Sequence, residues 1–258
     1  MAQVFLDRGP DHWHPSAAYL YVLHLDDPSL AWEYLRRNAD YRRDWLRSRR
    51  HSESVPHWGL RLLEDPGVDA RDAHPTWFPD HNTVLQLYPD ADPPPDADLF
   101  EFWHIPGRKH LIHDGRRLVL TARQLGYCLR LVLTPALEEG MAYVYALRVR
   151  PAPDGGYRAL LGELGKLDRL KVIDAAGLAK PRPSPSSLLE LHTLQALDGT
   201  LAGASLRTIA EVLFGTDAVA DSWHADGDLR ARVRRLVQRG KTLMRGGYRR
   251  LAQLPPLA

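Results

Sequence analysis

A single cysteine, Cys128, stands among 258 residues. One thiol closes no disulfide within its own chain and builds no cysteine-rich zinc site, so a reducing compartment is expected. Long apolar runs are missing as well: no stretch approaches the roughly 18–20 residues that span a bilayer. The opening MAQVFLDRGPDHWHP places acidic, proline and histidine residues where a secretory leader needs a continuous apolar segment. A cytoplasmic protein without membrane attachment is the expectation. Net charge is nearly absent too, at +2. A small total leaves the distribution open, because a local field acts over about one Debye length, ~8–10 Å.

The most informative absence is local. Between Leu229 and Leu251 there is no carboxylate, while Arg230, Arg232, Arg234, Arg235, Arg239, Lys241, Arg245, Arg249 and Arg250 all carry positive charge. On a helical wheel Leu229, Val233, Leu236, Val237, Gly240, Leu243 and Met244 fall within one apolar arc. Arg230, Arg234, Gln238, Lys241 and Arg245 line the opposite flank, and Arg232, Arg235 and Arg239 spread over the remaining surface. Asp226 or Asp228 is placed to cap the start, and Gly246-Gly247 to end the helix before a short basic YRRL extension. A solvated face is the bland reading of such a run. Solvated helices, however, interleave acids and bases four residues apart, whereas Arg230–Arg234, Arg235–Arg239 and Lys241–Arg245 are like-charge pairs that cost a few tenths of a kcal/mol each. A polyanion relieves that repulsion, and the dominance of arginine over lysine suits bidentate contacts to phosphate or guanine edges.

Around this element the chain changes texture. Up to about residue 50 it is aromatic, basic and helical in pattern: Asp27-Pro28-Ser29 signals a start, and Trp32, Leu35, Tyr41, Trp45 and Leu46 recur at helical spacing. Asn38 is placed to end the first helix and cap the second. Between about 74 and 150, TVLQLY, DLFEFWHI, KHLIH, RRLVLT, GYCLRLVLT and MAYVYALRV read as strands of a small antiparallel sheet, with Asp114-Gly115 suited to a tight hairpin turn. YRALLGELGKLDRLKVIDAA reads as a helix and the proline-bearing stretch over 178–187 as an extended connector. Then come LLELHTLQALDGT, closed by Asp198-Gly199, and ASLRTIAEVLFG, with Ser205 as cap and Gly215 as terminator. The expected fold is α+β: a helical N-terminal domain over 16–55, a β-rich domain over 74–150 and a C-terminal helical domain over 157–254. SLRTIAEVLFG has the cap and the buried Ile209-Ala210 pair of the first helix in a helix-turn-helix. The link TDAVADSWHADG is far longer than that motif's turn and has room for an extra turn around Val219 to Trp223, so the bundle is expected to be helix-turn-helix-like, not minimal.

These residues resemble a known family. ALDGTLAGASLRTIAEVLFG with LRARVRRLVQRGKTLMRGGYRRL is similar to the C-terminal DNA-binding domain of bacterial RovC-like transcription factors, a group associated with type VI secretion and with mobile conjugative elements. WEYLRRNADYRRDW resembles the N-terminal transcriptional-regulator-like domain found with it, and WHIPGRKHLIHDGRRLVL also fits; GGYRRL is the most specific part. Where relatives carry Asn-Pro, this chain has Asn38-Ala39. The resemblance implies sequence-specific binding of double-stranded DNA that controls transcription, with no cofactor and no catalysis. The residues expected to contact DNA are Arg230, Arg232, Arg234, Arg235, Gln238, Arg239, Lys241, Arg245, Arg249 and Arg250. A homo-oligomer is expected on general grounds, since DNA readers gain affinity through symmetry.

Other groupings are weaker. Arg36, Arg37, Arg42, Arg43, Arg47, Arg49 and Arg50 form a second basic run, diluted by Glu33, Asp40 and Asp44, that is open to phosphate contact or to a solvated face. His12, His14, His104, His110 and His113 lack the geometry of a metal site, since His110 and His113 on one strand point to opposite faces. Asp154 with Glu163 and Lys166, or Asp98 with Glu101, would be the carboxylates of a Mg²⁺-dependent nuclease, at spacings common by chance. An adaptor that binds an acidic protein through the basic helix stands as the principal alternative, and the nuclease as the third.

Overall fold

Pro28 sits in the first turn of α1 (Asp27–Leu35), where a missing N–H leaves no hydrogen bond broken, and Asp26 caps the helix by accepting from Ser29 N at 3.2 Å. Asn38 acts as its position predicts: its Oδ1 accepts from the N–H groups of Asp40 and Tyr41 and so opens α2 (Ala39–Ser48). These elements belong to a computed structural model that describes residues 12–48, 56–78, 84–113, 117–124, 127–146, 164–165, 184–224 and 227–254. Two units are present, one drawn from Met1–Trp58, Leu62–Pro75 and Arg182–Ala258, the other from Gly59–Arg61 and Thr76–Pro181.

In the first unit a 3-10 helix, Ser16–His24, packs along α3 (Pro185–Leu201), which Ser184 caps by accepting from Ser187 N. The sequence predicts that Asp198-Gly199 closes this helix, yet α3 runs through both. Asp198 accepts hydrogen bonds from Tyr19 and Arg37, and a Cβ on Gly199 would lie 3.0 Å from both the Trp13 ring and Ile209 Cγ1. Gly199 therefore serves close packing, and the reversal falls at Gly203, with φ +83°. Ser205 caps α4 (Leu206–Phe214), and Gly215 at φ 91° ends it and leads directly into α5 (Thr216–Ser222). The extra turn expected in the link is thus a helix of its own.

The basic helix is α6 (Asp228–Thr242); Asp228 lies in its first turn, the cap position is Gly227, and Asp226 lies outside the described residues. A π turn, Leu243–Gly247, with Gly246 at φ 137°, then leads into α7 (Tyr248–Leu251). Trp13, Trp32, Tyr34, Leu35, Tyr41, Leu194 and Tyr248 are fully buried. Residues from both ends of the chain thus share one core.

The second unit holds a five-stranded sheet of β1 (Leu85–Pro89), β2 (Arg108–His113), β3 (Leu118–Gln124), β4 (Tyr127–Leu133) and β5 (Tyr143–Ala146), in the order β2-β3-β4-β1-β5. It is mixed where an antiparallel sheet is expected, because β1 pairs in parallel with β4. A parallel pair needs a long crossover, and everything between β1 and β4, including β2 and β3, provides it. β2 and β3 pair antiparallel with His113 opposite Leu118, so four residues connect the paired positions where Asp114-Gly115 predicts a two-residue turn. Residues 114–116 lie outside the described residues.

DLFEFWHI does not form the predicted strand; Leu99 bridges Ala142 in isolation. Phe102 N donates to the Glu139 carboxylate at 2.8 Å, a side-chain partner in place of a ladder. The apolar residues of this stretch are nevertheless used, with Phe100 and Ile105 packed against Leu85, Leu120, Leu129 and Leu131 of the sheet. Apart from Leu164 and Gly165, the predicted helix YRALLGELGKLDRLKVIDAA lies outside the described residues, as does the connector as far as 183.

Candidate nucleic-acid interface

The rotation of α6 about its own axis is set by packing. Val233, Leu236, Val237, Gly240 and Met244 are buried, with Leu229 and Leu243 half-buried beside them, which is the arc that the wheel predicts. Gly240 is the point of closest approach to α3: a Cβ there would stand 3.0 Å from Leu197 Cβ and 3.3 Å from Thr193 O. With that arc turned inward, Arg234, Arg235, Gln238 and Arg245 are exposed and Lys241 is half-exposed. Among the described residues Arg234, Arg235, Lys241 and Arg245 take part in no ion pair.

Arg239, Arg232, Arg230 and Arg249 have partners within the protein. The Arg239 guanidinium is paired with Glu190 of α3, whose second oxygen accepts from Tyr34 OH at 2.6 Å. Arg239 therefore ties α6 to α3 and, through Tyr34, to α1. Arg232 lies over the Phe214 ring at 4.7 Å, and His192 meets the same ring at 5.6 Å. Burial first, and then the Arg232 charge, lowers the His192 pKa. Arg230 is half-buried near the start of α6 and is also engaged.

YRRL is more than the basic extension predicted. Tyr248 is buried, with its hydroxyl donating to Trp58 O at 3.0 Å, and Arg249 Nη1 donates to His57 O at 2.8 Å. Arg250 remains exposed. The structure thus gathers Arg234, Gln238, Lys241 and Arg245 in one outward stripe, with Arg235 on its flank.

Glu190 and Asp198, the carboxylates that hold Arg239 and Arg37, escaped the sequence reading. Their signal was present as acids inside the otherwise apolar LLELHTLQALDGT. Buried charges of this kind are paired. The second basic run divides likewise. Arg36 and Arg37 are 4% and 8% exposed, and Arg37 bonds both Asp198 oxygens as well as Glu33. Arg43 and Arg47 pair with Asp40 and Asp44 on the surface of α2. Arg49 and Arg50 lie outside the described residues, as do Asp154, Glu163 and Lys166. Glu101 hydrogen-bonds His104 at 2.6 Å. Among the described residues no group of three or more His, Cys, Asp and Glu side chains is arranged to hold a metal ion, and no helix is long and apolar enough to cross a membrane.

Three family models match the chain. Residues 82–129 match a domain of unknown function, residues 12–62 a "Proteobacterial transcriptional regulator-like domain", and residues 163–253 a RovC model described as "T6SS, Transcription factor, DNA binding domain". No curated protein matches the chain significantly. The chain is thus similar at its C-terminal end to the DNA-binding domain of a type VI secretion transcription factor and at its N-terminal end to a proteobacterial transcriptional regulator, as the resemblance in its sequence predicts.

Proposed function

We propose that this chain is a sequence-specific regulator of transcription that reads duplex DNA with α6. The observation that carries the reading is the stripe Arg234–Gln238–Lys241–Arg245, turned outward by the packing of Gly240 and joined to no carboxylate among the described residues. A helix of about 10–12 Å diameter fits the major groove, ~12 Å wide. From Arg234 to Arg245 the stripe runs about 16 Å at 1.5 Å per residue. Cations at its two ends suit phosphates on the groove walls, and Gln238 between them has the paired donor and acceptor that recognise an adenine edge. The neighbouring α5 supports the choice of helix, since Asp217 and Asp221 are exposed on it and TDAVADS has no cation.

Binding of labelled duplex of random sequence, followed by anisotropy as salt is raised, tests the reading. The variant with Arg230, Arg234, Lys241 and Arg245 all changed to Ala should lose most affinity and most of the salt dependence. Unchanged affinity ends the proposal and favours the adaptor that binds an acidic protein. Selection from a random pool then separates specific from general binding: a shared site, repeated with two-fold symmetry if the protein self-associates, is the expected outcome.

A further inference from the structure

On α2, Arg42 forms no ion pair with a carboxylate of the described residues. On α2 the buried Tyr41 and the half-buried Asp44, Trp45 and Ser48 mark the inward side, and Arg42, Arg43, Leu46 and Arg47 are exposed. Arg43 is neutralised by Asp40 and Arg47 by Asp44. Arg42 has no carboxylate among the described residues; its Nε donates to Arg36 O at 2.8 Å, which leaves the two terminal amino groups of the guanidinium for other partners.

α2 starts beside the π turn that follows α6. Asn38 Nδ2 donates to Met244 O at 3.1 Å, while Asn38 O accepts from Arg42 N at 3.1 Å. Met244 is the buried neighbour of the exposed Arg245, so Arg42 stands one helical turn from a residue bonded to the end of the basic stripe. Partial burial of the guanidinium, and then Arg36 and Arg37, outweigh Asp198 and lower the pKa of Arg42. An anion beside the guanidinium favours its charged form, and the Asn38–Met244 hydrogen bond brings the start of α2 against the residue that precedes Arg245.

We infer that Arg42 extends the basic surface of α6 past Arg245, so that a duplex seated on α6 is gripped at its backbone by the N-terminal segment as well. This rests on the DNA-binding reading of α6 and adds a second element to the same site. Both segments matched by regulator families then contribute to one DNA contact, and removing the first weakens binding by the second.

The salt dependence of duplex binding by the full chain distinguishes the possibilities. Arg42→Gln should lower the slope of log affinity against log salt by about 0.9, the loss of one phosphate contact, equally for every sequence. Arg42→Lys keeps the charge but not the planar bond to Arg36 O, so it should restore the slope. Thermal melting of each variant shows whether the fold is intact. If Arg42→Gln keeps the wild-type slope while Lys241→Ala lowers it, α6 binds DNA and the extension to α2 is wrong. If neither changes it, both readings fail. A loss in Arg42→Gln that Arg42→Lys does not repair makes the residue a structural support of α2 and overturns the contact.

Discussion

Arg37 clasps Asp198 with two parallel hydrogen bonds, Nε to Oδ1 at 2.6 Å and Nη2 to Oδ2 at 2.8 Å, in a site from which water is nearly excluded. The two residues lie 161 positions apart, and Glu33 and Tyr19 complete the cluster. Truncating one partner of a buried pair leaves the other charge uncompensated. Asp198→Ala should therefore destabilise the chain by about 3–5 kcal/mol. Arg37→Met combined with Asp198→Leu should cost less than Asp198→Ala alone, and chemical denaturation of the three variants checks the order.

The same cluster sets a pH dependence. Burial by itself would raise the Glu33 carboxyl, but Arg36 and Arg37 outweigh it and hold it at about 2. Asp198 is lowered as well, Arg37 and the Tyr19 hydroxyl prevailing over burial. An unfolded carboxyl titrates near ~4, so the stability from these groups is complete above that value and is lost as pH falls through the folded values. Melting temperature should be insensitive to these two groups from pH 7 to about 5 and should fall steadily below. Glu33→Gln, melted across the same range, should show a shallower acid limb.

Arg239 and Arg234 sit on one helix and should respond oppositely. Arg239→Ala removes the partner of the buried Glu190 and should lower stability by a few kcal/mol, about 3, with little change in the salt slope of DNA binding. Arg234→Ala should leave the melt within about 0.5 kcal/mol of wild type. Its slope should fall by about 0.9 if it contacts phosphate. If it contacts a base edge, roughly 1–3 kcal/mol should disappear selectively. Paired melting and titration curves separate these outcomes.

Gly240 is where α6 meets α3. A branched side chain must push against Leu197 Cβ and Thr193 O, both of them close to the backbone. Gly240→Val should destabilise by about 1–3 kcal/mol through overpacking. It should also weaken DNA binding without touching an exposed cation, because the stripe loses its orientation. Urea denaturation and duplex titration of this one variant measure both effects.

Much of the local structure was legible. Asn38, Ser205 and Gly215 act at helix ends as their side chains and backbone freedom dictate, and the buried arc of α6 follows the 3.6-residue period. These are decisions within one or two turns of chain. Asp198-Gly199 misled because termination signals and packing signals use the same residues: glycine ends a helix when its backbone must turn left-handed, and sits inside one when Trp13 presses against it. DLFEFWHI misled because its apolar content serves the sheet's core equally well from irregular backbone. Within the candidate site, the exposed stripe was legible from charge and period, whereas the engagement of Arg239, Arg232 and Arg249 was not.

By itself the sequence determined which segments are helical at each end, which face of α6 is apolar, and that no acid follows Asp228 on that helix. Only the tertiary structure decided which arginines remain available. Glu190 and Asp198 lie far along the chain from Tyr34 and Arg37, yet α3 brings them together with the N-terminal segment. The physical reason is the cost of an unpaired charge away from water: each buried carboxylate of α3 is matched to a guanidinium wherever the chain supplies one, and the cations left over are those that packing turns toward solvent.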